Sequence, residues 1–159
     1  MTNQVMVKMV LDAWYSKIKE ANDIFDNLTD EQLQNEVAPG RNRGIYLLGH
    51  LTATHDGILP LLNFGDRLYP QLDEIFIDNP DKSKPLINSA DELRAYWKNI
   101  NSTLADHFSK LQPDEWFQKH NAVSKEDFIK QPHRNRLNTI IARTNHVSYH
   151  TGQLVFLKK

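Results

Sequence analysis

Apolar residues recur every three or four positions along four stretches of the chain, and no stretch alternates with the two-residue period of a strand. The first runs from about Asn3 to Leu28 and carries Met6, Met9, Val10, Ala13, Trp14, Ile18, Ala21, Ile24, Phe25 and Leu28. The second runs from about Gly44 to Leu62, with Ile45, Leu47, Leu48, Leu51, Ile58, Leu59, Leu61 and Leu62; Pro60 is expected to kink or end it. The third opens on a capping box, Ser89-Ala-Asp-Glu92, and carries Leu93, Tyr96, Trp97, Ile100, Leu104, Phe108 and Leu111. The fourth runs from about Asn138 to Phe156, with an apolar stripe of Leu137, Ile140, Ile141, Val147, Leu154 and Val155. Four such helices predict an all-α fold, a four-helix bundle.

The links carry information too. Between the second and third helices lie some 25 residues holding Gly65, Pro70, Pro80 and Pro85, a long crossover by the standards of compact domains. A short turn forces antiparallel neighbours, whereas a crossover of this length can return along the bundle and leave the two helices parallel. Shorter elements are expected at the capping box Thr29-Asp-Glu-Gln32, at the apolar patch Leu72 to Ile77, after Pro113 around Trp116 and Phe117, and from Ser124 to Pro132.

A chain of 159 residues with 40% hydrophobic and 25% charged residues suits one packed domain, residues 1–159. The formal net charge of −1 lacks the basic excess that a dedicated nucleic-acid binder uses to release counterions. No apolar run is long enough to span a bilayer, and the first residues show no basic segment leading into an apolar run. The expectation is a cytoplasmic protein with neither nucleic acid nor membrane as partner. Cysteine is absent, which removes disulfides, thiolate metal sites and cysteine nucleophiles. Histidine, by contrast, occurs seven times, so any transition metal must be held by imidazole and carboxylate.

His146 and His150 stand at i and i+4 in Asn145-His-Val-Ser-Tyr-His-Thr-Gly-Gln153, about 40° apart on one helical face. That spacing lets two imidazoles grip one ion. At 100° per residue the pair falls roughly 90–130° from the centre of its helix's apolar stripe, on a margin where a site can open. On the second helix His50 behaves likewise, whereas His55 falls nearer the stripe's centre. Spacing alone does not choose between them as a third ligand. Several other histidine sites are excluded: the chain has no His-Glu-x-x-His, no Glu-x-x-His, no Gly-rich phosphate loop and no Gly-x-Ser-x-Gly.

Gly49-His50-Leu51 on the second helix, together with His146-x-x-x-His150-x-Gly152-Gln153 on the last, resembles the DinB-like superfamily. That superfamily comprises four-helix-bundle proteins and includes bacillithiol- and mycothiol-dependent transferases; the resemblance extends over helix order, long crossover and terminal motif. It implies a divalent metal ion, zinc or nickel, held by His50, His146 and His150, and a low-molecular-weight thiol as a further cofactor. Three neutral imidazoles leave coordination positions open, the layout of a catalytic site. A cation there lowers the pKa of bound water or thiol. The implied function is a metal-dependent enzyme of the thiol S-transferase or hydrolase kind acting on a small molecule. The alternative is a non-catalytic binding, interaction or stress-response bundle whose metal is structural or vestigial.

Other residues have two readings each. Gln153 shares the face of His150 and either orients a ligand or bonds solvent. Asp56 and His55 are candidates to support the site, against a surface Asp and a packed His. His107 either completes or gates the site or sits at the core edge. Arg41, Arg43 and the stretch His133-Arg-Asn-Arg136 could meet a substrate carboxylate or phosphate, or be solvated loops. Tyr149, Trp97, Trp116 and Phe117 could line a pocket or pack the core. No catalytic acid or base is singled out. Long amphipathic helices with a second apolar face also make a homodimer an expectation.

Overall fold

A computed structural model describes residues 2–158, so both end residues of the predicted 1–159 domain lie outside it. Among the described residues there is no strand; extended backbone pairs only in two isolated bridges, Glu36 with Arg43 and Lys119 with Asn135. The fold is all-helical, as the apolar periodicity predicts.

Helix α1 (Asn3–Asn27) starts where the Thr2 side chain accepts a hydrogen bond from the Val5 amide, and it buries Val7, Trp14, Ile18, Ala21, Ile24 and Phe25. Met9, expected on that face, is 59% exposed, and Ala13 is exposed too. The one-turn α2 (Asp30–Leu33) is built on the Thr29–Gln32 capping box, both halves of which are present.

Helix α3 (Gly44–Asp56) is buried on nearly every side, and the expected run to Leu62 is broken at Gly57 before a last turn, α4 (Ile58–Leu61). Pro60 is the cause. It has no N–H for the Asp56 carbonyl four residues back, and its ring crowds that carbonyl, so regular helix stops upstream of the proline itself.

The crossover holds a 3-10 turn (Pro70–Leu72) and α5 (Asp73–Phe76), which fills the predicted Leu72–Ile77 patch. Two ionic contacts pin it down. The fully buried Asp56 carboxylate accepts from the Leu68 amide at 2.8 Å, the Tyr69 amide at 2.9 Å and Arg67 Nε at 3.3 Å. At the other end Asp81 accepts from the Arg43 backbone amide at 2.8 Å and from its guanidinium at 2.7 Å, which also caps the start of α3. Arg43 is therefore a structural anchor, not a residue waiting for a substrate anion.

Helix α6 (Ala90–Lys110) begins on the complete Ser89–Glu92 box and buries Leu93, Trp97, Ile100, Leu104 and Phe108. A 3-10 turn (Pro113–Phe117) and α7 (Lys125–Lys130) lead to α8 (Arg136–Leu154). Helix α8 starts two residues before the expected Asn138, because the Asn135 side chain caps it by accepting from the Asn138 amide. The chain then closes with a 3-10 turn (Val155–Leu157).

The main packing partners are α1 with α8 and α3 with α6. Trp14, Trp97, Trp116, Phe25 and Phe76 are almost wholly removed from water. Each such side chain contributes several kcal/mol, on the order of 25 cal/mol per Å² of apolar surface. Two members of the predicted α8 stripe are not in this core: Ile141 is 42% and Val155 46% exposed. No helix among the described residues is long and apolar enough to cross a membrane.

Candidate metal centre

Where α3 and α8 meet, His50 from α3 and His146 and His150 from α8 turn their rings together. His146 Nε2 lies 3.1 Å from His50 Nε2 and 3.0 Å from His150 Nε2. All three ring pairs are edge-to-face, with centroids 5.0, 5.3 and 4.6 Å apart. His50 and His146 are half-buried and His150 is buried.

Two of the rings are locked from behind. His50 Nδ1 donates to the Phe76 carbonyl at 2.7 Å, and a carbonyl can only accept, so the Nε2 of His50 carries its lone pair inward. His150 Nδ1 donates to Gln153 Oε1, also at 2.7 Å, with the same consequence. Gln153 is itself bonded to the Tyr149 hydroxyl at 3.3 Å. The Tyr46 ring lies parallel to His50 and its hydroxyl donates to the Asn79 carbonyl at 2.8 Å. Gly49 is what lets α5 come close enough: a Cβ there would collide with the Phe76 ring.

Burial favours the neutral form of the two α8 rings. Burial above all, with His150, His50 and Arg143 adding to it, depresses His146 to about 4. Burial also lowers His150, opposed by the bond to Gln153. His146 Nε2 faces the inward lone pairs of His50 and His150, its Nδ1 is buried with no partner, and the three ligand atoms lie within 4.8 Å of one another, an arrangement that a shared cation would satisfy. A divalent ion shared by the three imidazoles would satisfy all of them, and an all-imidazole donor set fits a transition metal. The group could hold a metal ion.

The remaining candidates lie elsewhere, Gln153 excepted. His55 is wholly buried between Trp14 and Trp97, with ring centroids 4.8 Å from each, and its Nδ1 bonds Asn101 Oδ1 at 2.8 Å. Asp56 holds the crossover and touches none of the three imidazoles. His107 stacks on Phe64, centroids 4.7 Å apart. Trp97 and Trp116 are core residues. Tyr149 is 65% exposed and, with Arg41, Gln153 and Phe156, lines a cavity of about 300 Å³ that none of the three imidazoles lines. Sequence reasoning passed over Arg143, which is half-buried on the histidine face of α8. The signal was present: Arg143, His146, His150 and Gln153 follow one another at steps of three, four and three.

The family model of the DinB superfamily matches residues 13–154, and the chain belongs to that superfamily. A solved structure, the conserved protein of locus from Enterococcus faecalis, is similar over 94% of this chain and 93% of that one, with a TM-score of 0.64 at 15% identity. At that identity the likeness concerns the fold alone. No curated protein matches the sequence.

Proposed function

We propose that this DinB-superfamily protein binds one divalent ion, zinc or nickel, through His50, His146 and His150, and acts at that centre on a small molecule by thiol transfer or hydrolysis. The observation that carries the reading is the convergence of three imidazoles, with His146 Nε2 3.1 and 3.0 Å from the Nε2 atoms of His50 and His150, whose tautomers are set by the Phe76 carbonyl and by Gln153. A bound ion supplies a Lewis acid that lowers the pKa of a thiol or water. The chain's residues hold and orient. Three imidazoles leave the rest of the coordination sphere free, and a cavity lined by Arg41, Tyr149, Gln153 and Phe156 lies against the glutamine that holds His150.

Metal analysis of the purified protein beside a His150→Ala variant tests the site. About one ion per chain is expected in the first and little in the second; equal contents remove His150 from it. The reaction is tested by incubating the loaded protein with a low-molecular-weight thiol and an electrophile, and with simple esters and amides. The centre also bridges α3 and α8, so an ion that only fastened these helices together would raise the melting temperature without turnover.

A further inference from the structure

Arg43, Lys82, Lys84 and Arg94 border surface cavities, and each is answered by a carboxylate: Asp81, Glu36, Glu74, and Asp30 together with Asp91. Arg41 borders a cavity too, the one of about 300 Å³ that it shares with Tyr149, Gln153 and Phe156. Among the described residues its guanidinium has no ion pair and no hydrogen bond. The backbone that carries it is fixed. A bridge between Glu36 and Arg43 closes the loop, the Val37 amide donates to the Asn42 carbonyl at 3.1 Å, and the Arg41 amide donates to the Ala38 carbonyl at 2.9 Å. Gly40 turns the chain at a φ of 74°, and its amide donates to the Glu36 carboxylate at 2.7 Å. A preorganised turn, not a partner of opposite charge, sets Arg41 at the edge of the cavity.

Two aromatic rings share that wall. Tyr149 is 65% and Phe156 64% exposed, although rings of this size are the side chains that gain most from leaving water. Phe156, Val37 and Ala38 also line a second cavity of about 700 Å³, so the two spaces meet at the Phe156 ring. The wall touches the histidine centre as well. The Tyr149 ring meets the His150 ring edge-to-face with centroids 5.1 Å apart, and Gln153 Oε1 accepts the His150 Nδ1 proton at 2.7 Å.

We propose that this cavity binds a small aromatic monocarboxylate, with the carboxylate on Arg41 and the ring against Tyr149 and Phe156. A guanidinium presents two parallel N–H donors that match a carboxylate, so the contact is directional as well as electrostatic. One guanidinium answers one negative charge, and Glu36 on the wall of the adjoining cavity opposes a second. A flat ring placed against Tyr149 and Phe156 takes their faces or edges out of water. A volume of about 300 Å³ stands at the lower end for small-molecule sites and has room for one ring with a short acid chain. The inference names a substrate class for the centre proposed above and rests on that reading for its link to chemistry; the cavity itself is testable without metal.

The test follows the Gln153 side-chain amide resonance of the full chain, kept metal-free so that no acid can bind an ion instead. The protein is titrated with 3-phenylpropionate, with 3-phenyl-1-propanol and with propionate. The aromatic acid is expected to bind saturably and about tenfold more tightly than the matched alcohol, the scale of one charge-assisted hydrogen bond. Through its ring it should also outbind propionate by about tenfold. Arg41→Gln should lose the preference for acid over alcohol, and Phe156→Ala should lose part of the preference for the ring; both side chains are exposed, so both variants fold. No saturable binding by the wild type overturns the proposal, as does a preference for the acid that survives in Arg41→Gln. Shifts of Tyr149 and Phe156 that grow with protein concentration and shut out the acid would mean that a second copy covers these rings, and overturn it too. Ion uptake by the wild type, measured in parallel, keeps the two readings apart. Acid binding by protein that takes up no ion sustains the cavity and removes the metal; ion uptake by protein that ignores the acid does the reverse.

Discussion

His150 donates its Nδ1 proton to Gln153 Oε1 across 2.7 Å, so the residue that orients this ring sits one turn further along the same helix. Without that acceptor the ring can rotate or present the wrong nitrogen. Gln153→Leu should therefore weaken metal binding by about 10–100-fold, the usual effect of losing a partner behind a ligating histidine. Gln153→Glu keeps an acceptor and should stay near or above the wild-type affinity. Competition against a chromophoric chelator separates the two variants.

Gly49 and Phe76 give the second prediction. Glycine inside a helix costs about 1 kcal/mol relative to alanine, yet here alanine is the worse choice. Its Cβ would strike the Phe76 ring, whose residue also supplies the carbonyl bonded to His50. Gly49→Ala should lower unfolding stability by about 1–3 kcal/mol, as overpacking does, and should weaken metal binding as well. Gly152→Ala is the control, because nothing lies within 4 Å of a Cβ at that position. Denaturant unfolding with a parallel metal titration reads both effects.

The parts of this architecture written locally could be read from the sequence. The capping boxes at Thr29–Gln32 and Ser89–Glu92 each close within four residues, and both are formed. Apolar periodicity names a face of a helix but not what covers it, which is why Met9, Ile141 and Val155 are exposed despite falling on predicted stripes. The same limit governs the histidines. Angle arithmetic set His55 near the core and His50 at its margin, and the structure shows the first between two tryptophans and the second at the α3–α8 seam. Which of them would meet His146 depended on how two helices distant in sequence pack; the family resemblance pointed to His50, the spacing did not. Asp56 reads as a surface residue because its three donors come from the crossover, whose path no local pattern specifies. For Arg143 the three–four–three spacing is visible, but its half-buried placement belongs to the folded molecule.

Asp56 leads to a prediction that separates stability from metal binding. Its carboxylate is fully buried and accepts from two backbone amides and Arg67, so removing it strands all three donors. Asp56→Ala should cost about 3–5 kcal/mol, the range for breaking a buried ion pair by deleting one partner. Because Asp56 touches none of the three imidazoles, the folded variant should take up metal with unchanged affinity. Urea unfolding without metal, and metal titration at low temperature where the variant is folded, measure the two quantities.

The last prediction concerns acid. His55 is sealed between Trp14 and Trp97, and burial lowers its pKa to about 3, with the Asn101 bond opposing that shift. In the unfolded chain the same imidazole titrates near its ordinary value of about 6.5. Between those two values the unfolded state binds a proton that the native state refuses. The native state therefore loses ground steadily as pH falls from about 6.5 towards 3, and it gains nothing further above about 7. Each pH unit inside that window is worth about 1.4 kcal/mol, so His55 alone should remove about 2 kcal/mol between pH 7 and pH 5. His146 and His150, also depressed, act with the same sign in metal-free protein. Urea unfolding in the presence of a chelator should show the combined slope. His55→Gln, which removes the titrating ring, should be less stable at neutral pH but should lose about 2 kcal/mol less than the wild type over the same interval. Parallel pH profiles for the two proteins would mean that the ring is protonated in the folded state as readily as outside it.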